Sequence, residues 1–204
     1  MNNSRRPRVG GGPEQLLIIA ALWFSGCAHL PMAASPNGVL TPVEHVTLGN
    51  TYLLQKDKVL AEQQYKAALQ VNKSYVPALV ALGNMAFEEK DLKKARFYFE
   101  RAQKASPKDP AVVNNLAMVC LAQGKNLKGL AVMVEDALEN AGPAAPYLWD
   151  TLANIAIQEG RYEDAKHALN KAAETAPAQD PAFQTHLQES REKLASAAKP
   201  SLPQ

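Results

Sequence analysis

Residues 76–109 read VPALVALGNMAFEEKDLKKARFYFERAQKASPKD, and the spacing of their small and large residues recurs along most of this 204-residue chain. Leu-Gly or Leu-Ala pairs stand at successive spacings of 34, 34 and 36 residues, namely Leu48-Gly49, Leu82-Gly83, Leu116-Ala117 and Leu152-Ala153. Three further positions align downstream of each pair: Ala61, Ala95, Leu130 and Ala165; then Tyr65, Phe99, Val134 and Leu169; then Ala68, Ala102, Ala137 and Ala172. The third copy needs one extra residue between residues 125 and 129. A period of this length indicates an array of one repeated supersecondary unit.

Each unit is predicted to be a pair of closely crossing helices. The small residue of each aligned pair allows two helix backbones to approach, and the rings of Tyr65 and Phe99 are expected to fill the space between neighbouring hairpins. Gly124 and Gly160 are expected in the tight turns between helices, where left-handed backbone is common. The prolines from residue 42 to residue 181 lie at or near unit boundaries and interrupt no helix.

This pattern resembles the tetratricopeptide repeat (TPR), a 34-residue helix–turn–helix unit. The matching residues, besides the Leu-Gly and Leu-Ala pairs, are Tyr52, Trp149, Pro107 and Pro177. The resemblance implies an all-α fold, a right-handed solenoid of about four repeats. The predicted units are 42–75, 76–109, 110–145 and 146–179. Residues 180–198 carry Phe183, Leu187, Ser190 and Leu194 on one helical face and are expected to form a C-terminal capping helix.

The N-terminus has the parts of a secretory signal peptide. Arg5, Arg6 and Arg8 precede the apolar run 16–24, which small residues follow. The end of this segment, Ser25-Gly26-Cys27, resembles the lipobox of bacterial lipoproteins, although Phe24 stands where that family usually has Leu. The resemblance implies cleavage before Cys27 and attachment of diacylglycerol to its thiol.

These features predict a signal peptide at 1–26, a lipidated flexible tether at 27–41 and a disordered tail at 199–204. Ala28 replaces the aspartate that retains related lipoproteins at the inner membrane, so the periplasmic face of the outer membrane is the expected location. The alternative is a cytosolic TPR scaffold whose N-terminus is misread or uncleaved.

Composition and motifs argue against several classes of function. A net charge of +2 is small for a protein that binds phosphate backbones, so no nucleic-acid partner is predicted. No CxxC, HExxH or glycine-rich phosphate loop is present, and none of the four histidines pairs with a carboxylate at a spacing that helical geometry would turn into a site. Cys120 is expected to be a buried, inert thiol. No enzyme activity, small-molecule substrate, cofactor or metal is therefore predicted.

The TPR resemblance implies that the first helix of each hairpin lines a concave groove for a protein partner. The predicted groove residues are Val46, Asn50, Leu53, Val80, Asn84, Phe87, Asn114, Met118, Leu121, Tyr147, Asp150, Asn154 and Ile157. Asparagines recur among them, and a carboxamide both donates and accepts hydrogen bonds to a peptide backbone. The positions at which chaperone-binding TPR proteins carry cations are neutral here: Val46, Ala81, Asn115 and Thr151. An apolar or weakly basic partner segment is therefore expected.

The combined pattern predicts a membrane-tethered interaction adaptor for a cell-envelope machine. Lipoproteins with this layout include type IV pilus pilotins, adaptors of envelope peptidases and parts of polysaccharide export systems, and the sequence does not separate them. Homo-oligomerisation is open, because the first hairpin has no obvious helix to cover it.

Overall fold

The computed structural model describes residues 39–124, 126–177 and 180–199. Within these ranges the chain forms four helical hairpins and a ninth helix, and no strand. The helices are α1 Pro42–Leu54, α2 Lys58–Val71, α3 Val76–Glu88, α4 Leu92–Ala105, α5 Pro110–Ala122, α6 Leu127–Leu138, α7 Ala145–Gln158, α8 Tyr162–Thr175 and α9 Pro181–Ala197, with a short 3-10 helix, Gly142–Ala144, before α7. The all-α repeat solenoid predicted from the sequence is confirmed.

Several predictions fall on residues outside those ranges. They are the signal peptide 1–26, the lipidation site Cys27, the tether up to residue 38 and the tail from residue 200. No helix of the described ranges is both long and apolar enough to cross a membrane.

The hairpins begin where side chains can satisfy free backbone N–H groups. Asp57 accepts a hydrogen bond from the Leu60 N–H and Asp91 from the Lys94 N–H, so each caps the second helix of its hairpin. Thr41 and Glu44 form a reciprocal capping box at the start of α1. Proline occupies the first turn of the first helix in every hairpin and of α9, where its missing N–H costs nothing.

The turn between the two helices of each hairpin uses left-handed backbone. Gly124 and Gly160 have φ of 63° and 73°, as the sequence predicted. The same place in the first two hairpins is held by Lys56 and Lys90, with φ of 63° and 62°. The Asp57 N–H then donates to the Tyr52 carbonyl at 2.9 Å, which closes the first helix in a Schellman motif.

The small residue of each aligned pair lies against the large residue of the second helix. A Cβ atom added to Gly49 would lie 2.5 Å from Tyr65 Cε1, and one added to Gly83 would meet the Phe99 ring. The later hairpins pair alanine with an aliphatic side chain instead, Ala117 with Val134 and Ala153 with Leu169, all buried in one core cluster. In all four hairpins the residue on the first helix and the residue on the second helix are therefore complementary in size: glycine pairs with an aromatic ring, and alanine pairs with a smaller aliphatic side chain.

The last helix, α9, continues the stacking of first helices and packs on both α7 and α8. Phe183 and Leu187 are buried in the same core cluster as Leu148 and Leu169. α7 packs closely between α5 and α9, whereas α1 and α3 meet at few residues. This difference decides which of the predicted groove residues are accessible.

Candidate partner-binding groove

A cavity of about 220 Å³ lies between α3, α5, α7 and α9. It is lined by six of the predicted groove residues: Asn84, Phe87, Asn114, Met118, Tyr147 and Asp150. Asn115, Thr151 and Phe99 complete its protein wall together with His186 of α9, which the sequence analysis did not place there. Residues from three repeats and the final helix thus meet at one site.

Four other predicted groove residues lie on α1 and α3, away from this cavity. Asn50 is exposed, and its Oδ1 accepts a hydrogen bond from the Tyr65 hydroxyl at 2.7 Å. Val46 and Leu53 are half-buried against the core cluster of the first hairpin, and Val80 is half-buried between the next two clusters. These side chains extend the first-helix face without adding to the cavity.

Leu121, Asn154 and Ile157 are buried, so the structure does not place these three predicted groove residues at the cavity. Leu121 is buried in the core cluster of the third and fourth hairpins. Asn154 and Ile157, each 7% exposed, are covered because α9 packs tightly on α7. Ile157 belongs to a small cluster that also contacts Leu194 of α9. Asp150, although it lines the cavity, is likewise buried rather than open to solvent.

The Asn154 side chain links α7 to α9. Its amide nitrogen lies 2.9 Å from the Asp150 carbonyl oxygen and 3.2 Å from Ser190 Oγ. Its Oδ1 accepts a hydrogen bond from Lys193 Nζ at 2.9 Å. Asn84 aligns with Asn154 in the repeat but is exposed, because α5 does not cover α3 in the same way.

Asp150 pairs with His186, contrary to the prediction that no histidine pairs with a carboxylate. His186 Nε2 lies 2.8 Å from Asp150 Oδ2, and since a carboxylate only accepts, the Nε2–H is the donor. This hydrogen bond to Asp150 raises the pKa of His186 above its ordinary value. The separation of 36 residues between the two equals the last repeat spacing, so extending the repeat alignment by one helix would have revealed the pair.

Two further hydrogen bonds fix the cavity wall. The Thr151 hydroxyl donates to Asn114 Oδ1 at 2.7 Å and so ties α7 to α5. The Tyr147 hydroxyl donates to Asp180 Oδ2 at 2.9 Å, and its ring meets the Phe183 ring edge-on with centroids 4.8 Å apart. The bond to Asp180 is also the main reason that the pKa of Tyr147 is raised. Tyr147, which forms the aromatic side of the cavity, is therefore fixed through both its hydroxyl group and its ring.

Other features lie apart from this site. A cleft of about 520 Å³ runs beside α6 and is lined by Lys108, Gly129, Met133 and Asp136, none of them predicted groove residues. Cys120 is only half-buried, between two core clusters, rather than fully buried as predicted. Among the described residues no group of three potential metal ligands occurs.

Comparison with known proteins gives a consistent assignment of the fold. Family models of the tetratricopeptide repeat match residues 47–110 and 146–179. No curated protein matches the sequence.

Solved structures align over most of the chain. PilF of Pseudomonas aeruginosa is 21% identical with a TM-score of 0.57, covering 77% of this chain and 73% of its own. PilW, described as a widely conserved type IV pilus biogenesis factor, is 15% identical with a TM-score of 0.63, covering 79% of both chains. YrrB, described as a TPR protein with an unusual peptide-binding site, is 18% identical with a TM-score of 0.56, covering 76% and 82%. The helical hairpins repeat in sequence and in packing, and these matches show that residues 47–110 and 146–179 are tetratricopeptide repeats within a TPR-like solenoid.

Proposed function

We propose that this protein is a lipid-anchored adaptor that binds a segment of a partner protein in the groove of its first helices. In this proposal Cys27 carries the lipid, and the solenoid lies at the periplasmic face of the outer membrane. The adaptor assists the assembly of a cell-envelope machine. The observation that carries the proposal is the cavity at the meeting point of α3, α5, α7 and α9, on the helices that the TPR resemblance assigns to partner binding.

The structural neighbours support the choice of an envelope assembly. PilW is described as a pilus biogenesis factor, and PilF and PilW share the fold of this chain over more than three quarters of its length. YrrB, which shares the fold as well, has a peptide-binding site. A role in which the groove holds a polypeptide segment accounts for both kinds of neighbour.

The chemistry of the groove favours a partner segment that is apolar or weakly basic. Phe87, Met118 and Tyr147 supply apolar surface, and Asn84 and Asn115 supply uncharged polar groups. No Lys or Arg is among the residues that line the described cavity, and its basic group, His186, is already paired with Asp150. Binding rather than catalysis is the proposed role, without a cofactor, nucleic acid or small-molecule substrate.

Site-specific photocrosslinking in the native host tests the groove. We would replace Asn84 with p-benzoylphenylalanine and, as a matched control, place the same residue at Phe97, an exposed aromatic position on α4. The proposal expects a discrete adduct with another protein from position 84 and none from position 97. Equal labelling from both positions, or none from position 84, would contradict it.

The anchor needs a separate test because Cys27 lies outside the described residues. Radiolabelled palmitate should be incorporated into the wild type but not into Cys27→Ser, and the wild type should sediment with the outer membrane. An unlabelled wild type in the cytosol would instead support the alternative of a cytosolic scaffold, whether or not the groove binds a partner.

A further inference from the structure

One carboxylate oxygen in the cavity wall has no hydrogen-bond partner. Asp150 is 1% exposed, and its Oδ1 accepts no hydrogen bond from any described residue. Its other oxygen, Oδ2, accepts from His186 Nε2 at 2.8 Å and lies 3.1 Å from Asn154 Nδ2. Buried charged groups in proteins are ordinarily paired and hydrogen-bonded on all their polar atoms. Asp150 lines the cavity, and its Oδ1 is an unused acceptor that lies buried within the cavity wall.

The basic groups of α9 do not supply the missing donor. His186 is half-exposed, and while its Nε2 meets Oδ2, its Nδ1 lies 3.8 Å from Glu189 Oε2. Lys193 directs its Nζ to Asn154 Oδ1 at 2.9 Å. Thr151, the neighbour of Asp150 in sequence, donates its hydroxyl to Asn114. His186, Lys193 and Thr151 are thus each committed to an acceptor other than Oδ1.

The rest of the cavity suits a long side chain with an apolar stem and a cationic end. Phe87, Met118 and Tyr147 offer surface for aliphatic carbons, and aromatic rings attract cations. The volume of about 220 Å³ is more than a short hydroxyl or amide side chain fills. An aliphatic residue would leave Oδ1 unpaired, and an acidic residue would be repelled by Asp150.

We infer that this cavity receives an arginine or lysine side chain from the partner segment, with Asp150 Oδ1 as its acceptor. The inference rests on the proposed function and deepens it, since it names the residue type that the groove selects. The side chain enters past Phe87 and Met118, and its cationic end completes the hydrogen bonding of the buried carboxylate. A basic residue in an otherwise apolar segment is then the recognition feature of the partner.

Methyl NMR on the purified full-length chain would test this once circular dichroism has verified that it is folded. The protein would carry carbon-13 methionine methyl groups, and the probe would be acetyl-Gly-Arg-Gly-amide. A small ligand of this size is expected to bind with a Kd in the millimolar range. Met118 lines the cavity and should shift on titration, whereas Met133, in the cleft beside α6, should not. The control probe contains citrulline, which keeps the shape of arginine but lacks its charge.

The inference expects at least tenfold weaker binding of the citrulline probe to the wild type. It expects a similar loss for the arginine probe with Asp150→Asn, and no loss with Asp136→Asn in the distant cleft. Equal binding of the two probes, or no shift of Met118 with arginine, would overturn it. The comparison of probes uses the wild type alone, so it holds even if Asp150→Asn is unstable.

Failure of this inference can be separated from failure of the proposed function. If position 84 crosslinks to a partner but the arginine probe does not bind, the groove binds another kind of segment and only the inference fails. If the probe binds but no adduct forms in the host, the cavity chemistry stands and the adaptor role fails.

Discussion

The turn inside each hairpin shows how one backbone geometry tolerates different residues. Lys56, Lys90, Gly124 and Gly160 occupy the same place, all with positive φ. A residue with a Cβ atom is strained there, whereas glycine is not. At this position the first two hairpins therefore retain a local cost that the last two lack, although Asn126, two residues further along the third turn, also has a positive φ of 51°.

Replacing Lys90 with glycine should stabilise the protein. Relief of the left-handed strain is partly offset by the greater entropy of glycine in the unfolded chain, which leaves a gain of about 0.5–1 kcal/mol in the free energy of unfolding. Urea denaturation measures it. The control is Lys166→Gly on the exposed side of α8, where glycine in a helix should cost about 1 kcal/mol. Effects of the same sign at both positions would contradict the explanation.

The size match between Gly83 and Phe99 leads to a second prediction. Gly83→Ala should destabilise the fold by about 1–3 kcal/mol, because the new methyl group overlaps the Phe99 ring. Combining it with Phe99→Leu reproduces the Ala153–Leu169 pair of the fourth hairpin and should recover part of that loss. A double-mutant cycle on the free energy of unfolding measures the coupling, and simple additivity of the two changes would refute it.

Aligned asparagines have different roles, which gives a third prediction. Asn154→Ala should lower the free energy of unfolding by about 1–3 kcal/mol, because Lys193 and Ser190 lose a buried partner. Asn84→Ala, at the exposed equivalent, should leave thermal stability nearly unchanged. Similar melting temperatures for the two variants would show that the contacts of α9 contribute little.

At the scale of the elements, α9 makes tertiary contacts that its own sequence does not reveal. The apolar face of residues 180–198 predicted a capping helix, but not that it would bury Asn154 and Ile157. Periodicity identifies which face of a helix is buried, whereas the distance between stacked first helices depends on the packing of every layer below. The burial of Leu121 was missed for the same reason.

The pairing of α9 with α7 should depend on pH. The pKa of His186 is raised above 6.5, mainly by its hydrogen bond to Asp150, while the charge of Lys193 opposes the effect of Asp150 and Glu189. The stabilisation is therefore fully present below about pH 6.5 and is lost as pH rises through the folded-state pKa. The pKa of Glu62 is lowered by its bond to Lys94, so this ion pair does not titrate in that range.

Thermal unfolding between about pH 6 and about pH 8 would reveal this dependence. The wild type should lose stability across the range, and His186→Gln, which keeps a hydrogen-bond donor without the charge change, should show a flatter profile. Parallel profiles for the two proteins would mean that the His186–Asp150 pair does not couple α9 to pH.

At the scale of the whole molecule, the repeat period predicted the fold class and the helix pairs well. The Leu-Gly spacing and the prolines each act locally, so they can be recognised along the chain. The candidate site was predicted only in part. Its cavity needs residues from three repeats and from α9, and His186 joins it through a contact across 36 residues. Such a contact follows from stacking geometry rather than from local pattern.

The two ends of the described solenoid are not equivalent. α9 covers the last hairpin, while no described residue covers the outer side of α1 and α2, where Leu54 is 86% and Val59 67% exposed. Copies in which both partners use the exposed surface of α1 and α2 would form an isologous contact about a two-fold axis. Such an assembly closes at the dimer and cannot grow into a filament.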